Sequence, residues 1–224
     1  NNILQNTNNL RTKVINNVNL ISDDYINSKF GLKNNLNIYF KNVNTVAKED
    51  VTYKSSPQSE LMNIVEMNTS IPNIKKTQKN TQLLTPKVSF RFNPGDMKNH
   101  YNADRRIDAS TIFNIERLGL GDSFESGKSL TFGVDYSNKN NLNNTTYGAK
   151  IATVYRANEK NTIPKKTTIN KKKSYLFGEF NFKNSNFLDL NYNFAIDENF
   201  EEIKYHGLEM DFSINNFVTN FNFI

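Results

Sequence analysis

Between Leu188 and Ile196 every even-numbered residue is apolar, while the odd positions are Asp189, Asn191, Asn193 and Ala195. A period of two marks an extended strand whose two faces meet different surroundings, because successive Cβ atoms point to opposite sides. The next segment repeats the pattern, with Leu208, Met210, Phe212 and Ile214 alternating with Glu209, Asp211 and Ser213. After Asn215-Asn216 the apolar parity switches to Phe217, Phe221 and Phe223, as expected across a tight hairpin, since Asn tolerates positive φ. Leu130, Phe132, Val134 and Tyr136 form an earlier series, and Val88, Phe90 and Phe92 another. None of these segments shows the three- and four-residue spacing of an amphipathic helix. The pattern predicts about a dozen strands, the clearer ones near 60–71, 82–93, 128–137, 147–156, 174–183, 187–196, 200–214 and 217–224. Alternation is weaker before about Lys54.

Composition decides what the apolar face meets. Only 37% of residues are hydrophobic and mean hydropathy is −0.66, so no run approaches the roughly 20 apolar residues of a membrane-spanning helix. Yet 17 Phe and 10 Tyr are too many for a disordered chain. Asn is frequent but spread through the periodic segments, so it marks no low-complexity tract. A wall with lipid on one face and water on the other reconciles these facts, because only alternate residues must be apolar. The expected fold is all-β, a partial antiparallel transmembrane β-barrel of outer-membrane type, with residues 1–224 part of one domain. A β-sandwich or a secreted β-rich adhesin would also alternate. Strand length and charge deep in the polar face (Lys87, Arg91, Asp135, Asp189, Glu209, Asp211) favour lipid. Trp is absent, leaving Tyr136, Tyr155, Tyr175 and Tyr205 to supply an aromatic girdle.

Connections alternate in length: short turns at 184–186 and 215–216, longer loops at 94–127 and 157–173. Barrels of this type place the long loops outside, although 197–199 is short for that side. The chain starts without Met, shows no signal sequence, and reads as an internal fragment of a longer protein.

Net charge is +6 and the pI is about 9.3, which suits anionic partners such as phosphorylated lipid or acidic glycan. Catalytic chemistry finds no footing. There is no Cys, and His100 and His206 are far apart without metal-ligand spacing. Gly119 and Gly121 lack the strand–turn–helix setting of a nucleotide loop. Aromatic and basic residues fall on opposite faces, which argues against nucleic acid. No catalytic, cofactor-binding or metal residue is expected, and the protein is read as no enzyme.

The segment from Leu84 to Met97, with Leu84-Thr85-Pro86-Lys87 and Asn93-Pro94-Gly95, resembles the "L-x-P-[KR]" strand and "P-G" loop of the LPS-assembly outer-membrane family, LptD. Ile112-Phe113 to Arg117-Leu118-Gly119, then Asp122, Glu125, Gly127 and Gly133-Val134-Asp135-Tyr136, is similar to that family's next signature in an alphaproteobacterial-like form. Val154-Tyr155-Arg156 and Ser174-Tyr175-Leu176-Phe177-Gly178 extend the likeness, with Tyr175 where the family has Asp. The resemblance implies a barrel translocon that inserts lipopolysaccharide (LPS) into the outer leaflet of the Gram-negative outer membrane. Its implied partners are LPS, outer-membrane lipid, periplasmic LPS bridge proteins and a lumen-plugging, LptE-like lipoprotein. A porin or receptor barrel is the alternative.

On this reading Lys87, Ser89, Arg91, Thr131, Asp135, Asn191 and Asn193 face the lumen along a hydrated path. Lys165, Lys166 and Lys171 to Lys173 form a basic run in a long loop, either solvated or meeting lipid phosphates. Structural roles are expected for Pro86, Pro94 and Gly95, with the prolines at strand ends. Gly127 and Gly133 suit close backbone approach, and Arg117 is expected to pair with Asp122 or Glu125 and order the loop after residue 94.

Overall fold

A computed structural model describes residues 10–50, 53–184, 187–215 and 217–223. Among these residues twelve strands form one antiparallel sheet. They are β1 (Leu10–Ile21), β2 (Tyr25–Asn27), β3 (Leu32–Lys48), β4 (Gln58–Ser70), β5 (Asn73–Lys76) and β6 (Asn80–Asn93), then β7 (Gly127–Asn140), β8 (Thr146–Arg156), β9 (Leu176–Asn184), β10 (Leu188–Ile196), β11 (Ile203–Ile214) and β12 (Phe217–Phe223). The order is β1-β3-β4-β6-β7-β8-β9-β10-β11-β12, with β2 beside β3 and β5 beside β6. β2 continues the β1 arm, since the Ser22 N–H still bonds the Leu36 carbonyl between them. Among the described residues the sheet is a meander of sequence neighbours with two edges, β1 and β12, and it is not closed.

The register puts the apolar series on one face throughout. Met67 lies beside Phe90, Phe90 beside Leu130, and Leu130 beside Tyr155. Phe180 lies beside Tyr192, Leu190 beside Met210, and Met210 beside Phe221. This outer face stays largely open: Leu36, Phe90, Phe132, Ile151, Phe180 and Phe221 are all exposed large hydrophobics. The pattern is inverted relative to a soluble core, and it is the arrangement that a lipid-facing wall requires. Tyr136 and Tyr147 meet on this face at one end, their rings 6.2 Å apart, and the Asn138 amide donates to the Tyr147 hydroxyl at 2.7 Å. Tyr155 stands edge-on to Phe132 towards the other end. Tyr175 and Tyr205 do not join this girdle. They pack against the hydrophobic cluster on the inner face.

Connections sort by length and by end. Those at 28–31, 77–79, 141–145 and between β11 and β12 are short, and share one end with the turn after β9. Those at 49–57, 94–126, 157–175 and 197–202 share the other, so the connection after β10 is longer than 197–199 and fits the long-loop end. Residues 185–186, Asn216 and Ile224 of the expected turns and last strand lie outside the described residues. Asn215 takes the positive φ foreseen for it, 52°.

Pro86 sits inside β6 and not at a strand end. Ile71 donates its N–H to the Pro86 carbonyl at 3.0 Å, but proline has no N–H to return. The neighbouring arm breaks there, at Ile71-Pro72 between β4 and β5. Two prolines thus share one gap in the ladder. Gly178 on β9 pairs with Phe194 on β10, whose ring covers it so closely that an added Cβ would lie 2.0 Å from the ring.

Candidate functional site

The connection after β6 does not project from the sheet. Residues 94–126 fold back over the inner face and dock on two apolar pads. On one pad Phe124 and Ile115 meet Tyr39 and Val43 of β3, Met62 and Ile64 of β4, and Ile15 of β1. On the other, Met97, Ile107, Ile112 and Leu118 pack with Ala152, Val154, Phe177 and Ala195 of β8, β9 and β10. Ile163 and Ile169 of the next long loop complete that cluster. Both pads occupy positions that alternation alone assigns to water. Burial of such side chains is worth about 1.5–3 kcal/mol each, enough to hold a loop that has little regular structure.

Charged side chains fill the space between the pads. Arg117 of the loop forks onto Glu125, Nε to Oε2 at 2.6 Å and Nη2 to Oε1 at 2.8 Å. It also donates to the Thr131 hydroxyl at 2.8 Å and the Ser129 hydroxyl at 3.1 Å on β7. Arg156 of β8 donates to the same carboxylate and to the Ser126 carbonyl. Burial alone would raise the Glu125 pKa, but the two guanidinium groups outweigh it and hold the carboxyl well below the usual range. Arg91 of β6 pairs with Glu66 of β4 at 2.9 Å and donates to the Phe113 carbonyl at 2.5 Å. Lys41 of β3 reaches Glu116 at 2.5 Å and the Gly121 carbonyl at 2.6 Å. Gly121 presents that carbonyl from a left-handed turn, φ 70°.

A second network ties the loop to the β1 side. The Tyr53 hydroxyl donates to the buried Asp122 carboxylate, and Lys13 of β1 approaches it at 3.4 Å. Burial opposes ionisation of Asp122, but the tyrosine bond and Lys13 leave its pKa below the ordinary value. His100 lies 3.2 Å from the Ser123 hydroxyl, and burial, aided by Lys98 and Lys13, lowers its pKa although Asp122 pulls the other way. The loops also hold one another. Lys166 bonds Asp104 at 2.8 Å, Lys171 bonds Glu198 at 3.0 Å, and Lys173 bonds the Glu198 carbonyl at 2.6 Å. The basic run is therefore only partly free.

All seven candidate path residues lie on the inner face. They divide into two groups. Ser89, Arg91 and Thr131 are buried beneath the docked loop, so they face protein and not an open channel. Lys87 and Asp135 pair at 2.7 Å at the margin of the loop, with the lysine 4.1 Å from the Phe113 ring centre. Asn191 and Asn193 stand on β10, each with an Oδ1 that has no hydrogen-bond partner.

The motif residues gather around the same loop. Pro94 and Gly95 begin it, and the Gly95 N–H bonds Asn93 Oδ1 at 2.9 Å. Arg117 selects Glu125 as its partner, while Asp122 serves the Tyr53 network. Gly127 opens β7 at φ 85°, and Gly133 receives the Phe113 ring, 2.7 Å from where a Cβ would stand. Sequence reading overlooked Tyr39, Lys41 and Glu66, and quoted Val154 and Phe177 within the resemblance without foreseeing that they form the pad under the loop. The run Ile151-Ala152-Thr153-Val154-Tyr155 was a visible signal, since apolar residues there occupy both faces. No group of three or more metal-binding side chains occurs among the described residues.

A search of curated proteins finds no match to the chain. Among protein-family models, residues 15–224 match LptD, LPS transport system D, an outer-membrane family of Gram-negative bacteria. With nearly the whole sheet and its docked loop inside that match, the chain belongs to the LptD family.

Proposed function

We propose that this chain forms part of the wall of a barrel translocon that inserts LPS into the outer leaflet of the outer membrane, with the long-loop end facing outward. The observation that carries the reading is a wall apolar on one face and charged on the other, within a family match spanning residues 15–224. The lumenal side supplies what a polar, anionic glycan needs: paired, partly exposed charges at Lys87 and Asp135, and the half-buried amide side chains of Asn191 and Asn193. The loops 94–126 and 157–175 cover that face from β1 to β10 towards the long-loop end, so the open surface for the sugar lies beside β11–β12 and towards the short-turn end. Membrane lipid covers the outer face. A lumenal lipoprotein of the LptE type and periplasmic bridge proteins are the partners this role requires. No bond is made or broken along such a path, so the protein acts as a conduit and not as an enzyme.

Depletion of the full-length protein tests the reading. Newly made LPS should accumulate on the periplasmic side and fail to reach the surface. Normal surface LPS with reduced uptake of small solutes would replace the translocon by a porin.

A further inference from the structure

At the long-loop end, the ends of β6, β7 and β8 surround a cavity of about 240 Å³. Two lysines line it, Lys128 and Lys160, and no carboxylate does; Asp96 and Glu159, adjacent in sequence to the lining, are exposed outside it. Neither lysine has a carboxylate partner among the described residues. The site is held in shape from several sides. Lys128 Nζ stands 5.2 Å from the Phe92 ring centre. The Lys160 stem crosses Gly127, where a Cβ would come within 3.3 Å of it, and the φ of 85° excludes most side chains there as well. Behind the cavity Arg117 and Arg156 share the single carboxylate of Glu125, leaving an uncompensated positive charge in buried surroundings. A low-dielectric wall of one sign concentrates anions at its mouth.

Depth supplies the ligand class. Phe92 and Tyr155 are the last outer-face residues of β6 and β8, so the cavity opens where the apolar band ends. A lipid seated against that band places its phosphate at this height. We propose that Lys128 and Lys160 bind the phosphate of a phosphorylated glycolipid headgroup in the outer leaflet, its acyl chains lying along Phe92, Leu130 and Tyr155. The inference rests on the outward orientation of the long loops given above. A free phosphate would gain only the two lysines, whereas the lipid gains the apolar surface too.

The test uses the full-length protein in detergent, with a fluorescent diphosphoryl lipid A as probe. Lys128→Ala with Lys160→Ala should weaken binding about tenfold, equivalent to about 1.4 kcal/mol. The paired change to Arg should retain binding, and Lys165→Ala with Lys172→Ala, exposed in the same loop, should leave it unchanged. Dephosphorylated lipid A should bind the native protein about as weakly as diphosphoryl lipid A binds the double alanine variant. Unaltered binding by that variant, equal binding of the dephosphorylated lipid, or full competition by millimolar inorganic phosphate would each overturn the site. Heat-modifiable migration of every variant checks that it has folded. Surface LPS after depletion is a separate readout, so the site can fail while the translocon reading stands.

Discussion

Arg117 shows how one side chain can be asked to hold a loop. Its five donors reach Glu125 twice, Thr131, Ser129 and the Ile112 carbonyl, all out of water. Replacing it with Ala leaves Glu125 to Arg156 alone, and breaking a buried pair costs about 3 kcal/mol or more. Arg117→Ala should therefore expose new cleavage sites within 94–126 in limited proteolysis, while the strands stay protected; an unchanged digest refutes the latch. Gly133 makes the complementary case. Its missing Cβ is the notch for Phe113, so Gly133→Ala should lower stability by about 1–3 kcal/mol through overpacking. Trimming the ring with Phe113→Leu should recover most of that loss, and a melting comparison of the single and double variants measures it. An additive double variant would show that the two residues do not touch.

At the scale of elements, the docked loop and the strands respond to different perturbations. Glu125 and Asp122 have pKa values lowered in the folded chain. Their contribution is thus fully present above the unfolded carboxylate range, about pH 4, and lost only as pH falls through the depressed values. Loop protection against an acid-tolerant protease should persist from neutral to about pH 4 and decline below it. Release nearer pH 6 would point to His100 instead. A strand is tested by its faces. Phe132→Arg, on the outer face near the middle of β7, should cost about 2–4 kcal/mol at the bilayer centre and impair assembly. The same charge at Ser137, an inner-face residue nearer the short-turn end, should be tolerated. Equal damage at both positions would mean that the outer face is not in lipid.

For the whole molecule, two uncovered edges matter most. β1 and β12 each pair on one side only among the described residues, and such edges recruit other strands. Expressed as these 224 residues alone, the chain should form detergent-resistant oligomers, and Thr219→Pro in β12 should reduce them; a stable monomer would show that the edges are protected. Much of the wall was legible beforehand. Where each face meets one solvent, as in Leu188–Ile196 and Leu208–Ile214, the period of two located the strand to within a few residues. Before Lys54 the same rule blurred, although β3 is the longest strand. There Tyr39 and Val43 turn inward to a protein loop, Ala47 is buried on the same face, and Asn42 and Asn44 point outward towards the long-loop end. The outward Tyr136 and inward Tyr175 likewise look alike in a list of residues near strand ends. Sequence by itself determined the strands and which of their faces is apolar, because alternation is a local consequence of the extended backbone. Only the tertiary structure decided that loop 94–126 lies inside and that Glu125 is the partner of Arg117. Those facts depend on contacts between segments far apart in the chain, and no local period encodes them.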